Sequence, residues 1–212
     1  ANPTVGAVTS CEALGGRLLA GVNVQDRYRR KEKRSDRFED DSLAKKVSWE
    51  DQTEIKDGRD YSGNLSYTAD VGDSGQFSID GFYVKTERDV SEVSFEEKLK
   101  KGKTQNIRVP GLDPYDQKNY GIGAEYKFDM AGGRTEVSVD HARFKNSQAT
   151  TEGEELFESA GSNFDNTWSI DGAKWKETVY AAESASAKDA ETGFKLAHAR
   201  PAGSAEMDVG VD

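Results

Sequence analysis

The 212-residue chain carries 29 Lys and Arg against 39 Asp and Glu, a formal charge of −10, which excludes the basic footprint that nucleic-acid binding needs. With 34% hydrophobic and 32% charged residues and a mean hydropathy of −0.82, it is poor material for a large dry core, so either much of the chain is loop or its apolar residues are spread along one face of strands. No apolar run approaches the roughly 18 to 20 residues of a spanning helix, the single cysteine, Cys11, excludes an internal disulfide, and two histidines beside it are too few for a Cys/His zinc cluster.

Strict period-two alternation then recurs along the chain, the signature of strands with one apolar face. Leu18, Ala20, Val22 and Val24 alternate with Leu19, Gly21, Asn23 and Gln25. Tyr61, Gly63, Leu65, Tyr67 and Ala69 alternate with Ser62, Asn64, Ser66 and Thr68. Phe77, Ile79, Gly81 and Tyr83 face away from Gln76, Ser78 and Asp80, with Phe82 and Val84 as exceptions on the polar side. Tyr120, Ile122, Ala124, Tyr126 and Phe128 alternate with Gly121, Gly123, Glu125 and Lys127, and Thr135, Val137, Val139 and His141 with Arg134, Glu136, Ser138, Asp140 and Ala142. The apolar sets hold one imidazole, His141, whereas the polar sets hold Asp80, Glu125, Lys127, Arg134, Glu136 and Asp140. Two weaker strands are expected over 192–200 and 205–212, giving about seven.

Short glycine-containing links at 70–75, 129–133 and 201–204 predict three tight hairpins. The polar stretches 27–60, 87–118 and 145–190 are expected to be loops, too long for an ordinary compact domain. In this reading Gly153 lies in a loop at 145–175. Short turns at one end and long loops at the other describe an all-β, antiparallel, up-and-down transmembrane β-barrel segment, with short periplasmic turns and long extracellular loops.

Alternation alone does not separate a membrane barrel from a soluble β-sandwich used as a binding or adhesin module. Aromatic placement favours the barrel. Tyr61 and Tyr67, Phe77 and Tyr83, and Tyr120 and Tyr126 are same-face pairs six residues apart, roughly 20 Å along a strand, close to two girdles bounding an apolar band about 25 Å tall. The residues between them, such as Gly63, Leu65, Gly81 and Ala124, are small or medium. A sandwich core calls for bulk there, whereas lipid tails fill space around glycine.

The segments YSGNLSYTAD, FSIDGFYVKTERD and QKNYGIGAEYKFDMAGGRTEVSVDHARFKNSQ, with ETGFKL and GSAEMDVGVD further on, resemble the barrel of TonB-dependent outer-membrane receptors, most of all those of Caulobacter- and Sphingomonas-type bacteria. The likeness rests on the order of the hairpins and extends loosely over nearly the whole chain. It implies a 22-stranded barrel in a Gram-negative outer membrane, occluded by an N-terminal plug and taking up siderophores, vitamins or glycans. Its implied partners are outer-membrane lipid and lipopolysaccharide, the energy-coupling TonB protein reached through the plug, and a small-molecule or glycan ligand. The sequence contains neither the plug with its coupling box nor closing strands with a terminal aromatic, so residues 1–212 are read as a partial barrel domain from the N-terminal half. The absence of an initiator Met agrees with a mature or excised piece.

No cofactor, metal site or enzyme activity is expected. Ser138 and Asp140 share a strand face from which His141 points away, which breaks a triad. Glu39-Asp40-Asp41, Glu152-Gly153-Glu154-Glu155 and the pair Asp113 and Asp116 lack calcium-loop spacing. The basic run Arg27-Tyr28-Arg29-Arg30-Lys31-Glu32-Lys33-Arg34 has the chemistry to grip lipopolysaccharide phosphates, although a solvated strand extension is the favoured reading. Lumen-facing candidates are Asn23, Gln25, Asp80, Glu125, Lys127, Glu136 and Asp140, whose mixed charge signs suit contacts to a plug.

Overall fold

A computed structural model describes residues 2–39, 43, 45–101, 103–160, 173–202 and 205–211. Nine strands follow one another, with no helix among the described residues: β1 Thr4–Ala13, β2 Gly16–Phe38, β3 Lys46–Val71, β4 Gly75–Lys100, β5 Lys103–Leu112, β6 Tyr115–Met130, β7 Gly133–Ala160, β8 Lys174–Ala202 and β9 Ala205–Val211. They form a single antiparallel sheet in sequence order, with β5 and β6 both lying between β4 and β7. The fold is thus the expected all-β up-and-down meander, with nine strands where the alternation predicts about seven.

β5 and β6 are two halves of one path across the sheet. β4 pairs with β5 through Ser91 to Lys100 and with β6 through Gln76 to Arg88. The break falls at Asp113-Pro114, where proline has no N–H for the ladder. Backbone bonds from Asp113 N–H to the Val90 carbonyl and from Ala149 N–H to the Pro114 carbonyl bridge the gap.

At one end the chain reverses tightly. Leu14 and Gly15 have φ of 52° and 78°, and Ala131 and Gly132 have 52° and 76°, the left-handed pair that a two-residue hairpin turn matched to strand twist requires. Gly72-Asp73-Ser74 joins β3 to β4, with Gly72 at φ 64°. Ala202 pairs with Ala205; the remainder of that predicted hairpin, residues 203 and 204, lies outside the described residues.

The other end corrects the sequence reading. The stretches 27–60, 87–118 and 145–190 are mostly strand, not loop. β2 and β3 stay paired from Gln25–Asp60 out to Phe38–Lys46, β3 and β4 out to Ser48–Lys98, and β7 and β8 out to Glu158–Lys174. The 26 residues of β3 and of β4 therefore run about 85 Å. Charged and polar residues occupy both faces of these arms with only scattered apolar ones, so cross-strand hydrogen bonds and charge pairs largely hold them and no sustained period-two signal marks them.

Among the described residues, strands approach within 8 Å, Cα to Cα, only where they are ladder neighbours. The surface, 14022 Å², far exceeds the about 9,700 Å² of a compact monomer of 23.3 kDa. A β-sandwich requires two facing sheets, and the described residues provide one. Among the described residues, buried apolar side chains are few and sit in the arms: Trp49, Val90 and Ile107. Trp49, 1% exposed, donates its indole N–H to Glu97 at 2.6 Å and has the Arg34 guanidinium 5.7 Å from its ring centre.

Candidate functional site

Directly opposed residues in an antiparallel sheet share a face, so the register decides whether the separate alternation patterns belong to one surface. They do. One row runs Cys11, Leu18, Tyr67, Ile79, Ala124, Val139 and Phe194 across seven strands. The next runs Thr9, Ala20, Leu65, Gly81, Ile122, His141 and Thr192. Another joins Ala69, Phe77, Tyr126, Val137, Leu196 and Val211. Every member of the apolar alternating sets lies on this face, the exceptions Phe82 and Val84 lie on the other, and β1, β8 and β9 extend it.

The face is uncovered. Val22 is 63% exposed, Ile122 60% and Phe194 57%. A contiguous bare apolar surface of this extent marks an interaction with a partner or with lipid. Its height is limited: from Tyr120 to Phe128 on β6 is about 26 Å. Tyr83 opposes Tyr120 at one margin, and Phe77 opposes Tyr126 at the other. Tyr126 stacks on Phe128 with ring centres 5.1 Å apart, and the Tyr67 hydroxyl donates to the Leu14 carbonyl at the first tight turn.

Both histidines lie on this face with threonine partners across β7 and β8. His141 Nδ1 is 2.8 Å from Thr192 Oγ1 and His198 Nδ1 is 2.9 Å from Thr135 Oγ1. His141 therefore has no access to Ser138 or Asp140 on the opposite face, as the strand periodicity predicts.

The seven predicted lumen residues all occupy that opposite face. Three of them come together. Lys127 lies 2.7 Å from Glu125 and 3.7 Å from Glu136, and Glu136 is 2.7 Å from Lys195. This chain of alternating charge crosses β6, β7 and β8. Asn23, Gln25, Asp80 and Asp140 stand apart from it on the same face. Asp140 lies over Gly193, where a Cβ would stand 2.5 Å from its carboxylate, so glycine there makes room for the acid. Phe82, one of the apolar exceptions, lies across Gly121 in the same manner.

Sequence reasoning missed Lys195 and a second group, in which Asp60 receives Arg27 at 2.9 Å and Arg88 at 2.5 Å. Lys195 was readable from its place between Phe194 and Leu196. The Asp60 group spans β2, β3 and β4 and has no linear signature.

The basic run resolves into a strand whose arginines are matched to carboxylates on β3 and, for Arg30, on β2 itself. Arg29 pairs with Glu54 at 2.8 Å, Arg34 with Asp51 at 3.8 Å and Arg30 with Glu32 at 2.6 Å. The Arg29 contact chiefly holds the Glu54 carboxyl below its usual range, with Lys56 adding to it and burial opposing. Of the acidic stretches, Asp113, Asp116 and Glu155 are likewise engaged. Asp113 accepts from Gln148 and Thr150, each at 2.7 Å, and these bonds, Thr150 first, lower its pKa. Glu155 accepts from the Tyr180 hydroxyl at 2.8 Å and Arg108 at 3.0 Å, which lower its pKa in that order. Asp116 faces Lys118 and Lys85 instead. No cluster of three metal-ligating side chains occurs among the described residues; Asp40 and Asp41 lie outside them.

No protein family matches the chain, and no curated protein does. Among solved structures, the chain is similar to a double mutant of the Serratia marcescens hemophore receptor HasR in complex with its hemophore HasA and heme. Identity is 7% and the TM-score 0.15, over 93% of this chain and 40% of that one. A likeness of that size carries no argument, and the chain spans about two fifths of the structure it matches.

Proposed function

We propose that the chain is part of the barrel of an outer-membrane receptor that takes up a siderophore, vitamin or glycan with energy from a TonB-type partner. Residues 1–212 would contribute eight strand paths to the wall, with the Glu125–Lys127–Glu136–Lys195 face turned to the lumen and a plug. The observation that carries this reading is the uncovered apolar belt, about 26 Å tall, on one face of a single-layer meander. Water penalises such a face, whereas a bilayer with an apolar band about 25 Å tall accommodates it. Both sheet edges, β1 and β9, are unpaired among the described residues, and an open edge within lipid is not tolerated. Further strands of the same wall would pair them.

The test is fractionation of cells expressing the intact reading frame. The protein should stay in the outer-membrane fraction through high-salt washes, dissolve in neutral detergent, and run faster on gels unheated than boiled. Recovery as a monodisperse, detergent-free soluble protein would end the proposal.

A further inference from the structure

The far margin of the apolar belt carries an arrangement that the proposed transport function leaves unexplained. Lys85 opposes Lys118, Lys118 opposes Lys145, and Lys145 opposes Lys188. Four lysines thus form one row across β4, β6, β7 and β8, on the apolar side of the sheet. Tyr61 opposes Lys85 in that row, and the Lys85 ammonium sits 5.8 Å from its ring centre. One row inward, Arg143 opposes Tyr120.

Like charges directly opposed across strands are destabilising, so the row needs anions. Protein carboxylates answer only half of it. Lys85 contacts Glu87 and lies 3.6 Å from Asp116, and Lys118 is 3.5 Å from Asp116. Among the described residues, Arg143, Lys145 and Lys188 have no ion-pair partner. Beyond the row a depression of about 1180 Å³ opens, lined in part by Tyr28, Tyr61, Ser147 and Ser186. Of the acids in its wall, Asp26 is engaged by Arg59, Glu87 by Lys85 and Asp116 by Lys118 and Lys85, while Asp57 and Asp89 oppose each other on β3 and β4 with no ion-pair partner among the described residues.

We propose that Arg143, Lys145 and Lys188, with Lys118 beside them, form a binding site for the phosphate groups of lipid headgroups surrounding the protein. The location selects lipid as the source. Cations that begin where an apolar belt and its tyrosines end lie at headgroup depth when the belt lies in acyl chains, and their long stems keep the ammonium groups at that level. The basic run 27–34 lacks this placement, because its Arg29, Lys31 and Lys33 share the opposite face and its arginines are matched to carboxylates. The site rests on the membrane reading of the belt.

The test uses the intact protein in nanodiscs of zwitterionic lipid, titrated with diphosphorylated lipid A and with its dephosphorylated form. Retention is read by native mass spectrometry. The phosphorylated lipid should bind at least tenfold tighter. Combined R143Q, K145Q and K188Q should weaken its binding by about 100-fold, whereas R29Q, K31Q and K33Q, the same charge change on the other face, should leave it unaltered. Equal binding of the two lipids, or an unchanged affinity in the first variant, overturns the proposal. So does full competition by millimolar inorganic phosphate, which would make the row a free-anion site. A protein that enters no nanodisc overturns the membrane reading itself, an outcome distinct from entry without phosphate preference.

Discussion

Replacing Ile122 by Arg separates the lipid account from any account in water. Ile122 opposes Gly81 on one side and His141 on the other and is 60% exposed. It packs against little, so in a sheet bathed by water the change is a surface substitution worth about 0.5 kcal/mol or less. In a bilayer the same position, between the two tyrosine margins, puts a guanidinium near the midplane at about 2–4 kcal/mol. Val139→Arg, one row away on β7, should behave alike. Ser138→Arg, its neighbour on the charged face, should cost under about 1 kcal/mol because it enters a polar environment. The assay is reversible denaturant unfolding of the intact protein in vesicles, followed by tryptophan fluorescence, and repeated in a detergent-free, lipid-free buffer if the protein stays folded there. Equal penalties for Val139→Arg and Ser138→Arg in vesicles, or a 2–4 kcal/mol loss for Ile122→Arg without lipid, would refute the reasoning.

Further outcomes follow from the arms and turns. Trp49→Ala removes a side chain that is 1% exposed and should lower the local stability of the β3–β4 arm by about 3–5 kcal/mol, seen as faster hydrogen exchange at 46–56 and 90–100 with the belt amides unchanged. Glu155 has a lowered folded pKa, so its bonds to Tyr180 and Arg108 stabilise the arm above the ordinary carboxylate range and are lost as pH falls through the depressed value. Tyr180→Phe should move the Glu155 titration, read by NMR, back toward the ordinary value; an unmoved titration would show that the hydroxyl is not the main cause. An epitope inserted at Lys101, the far turn of β4 and β5, should be stained on intact cells, and one between Ala131 and Gly132 only after permeabilisation. Gly153 is no site for such a tag, since it pairs with Tyr180 inside β7 and β8, where the tyrosine ring occupies the space above it.

The belt was legible in the sequence because one side of each strand had to be apolar while the other was wet. Every alternating set, from Leu18 to His141, entered a strand in consistent phase, and the glycines at 72 and 132 fell in turns. The same logic explains what was illegible. From Arg30 to Arg37 both faces of β2 are charged, so periodicity carries no information and a strand reads as a loop. What fixes it is two-dimensional: Arg29 beside Glu54, Arg37 within 3.6 Å of Glu50. β1 was hidden by Ala7, Thr9 and Cys11, weak markers of an apolar face, opposite an aliphatic Val8, and by Leu14, a residue seldom found at positive φ. Among the site residues, the face of all seven candidates was readable from parity, but which of them meet depended on register. Glu125, Lys127 and Glu136 join; Asp80 and Asp140 do not.

The most direct measurement is a nitroxide scan along β7 in the intact protein in bilayers, after Cys11, itself exposed on the belt face, is replaced by serine. Collisions with oxygen, concentrated in acyl chains, and with a water-soluble nickel chelate are compared at each position from 135 to 150. The account predicts high oxygen and low nickel contact at Val137, Val139 and His141, the reverse at Ser138 and Asp140, and nickel contact at both parities beyond Lys145. Uniform nickel contact throughout, or alternation in the opposite phase, would contradict it.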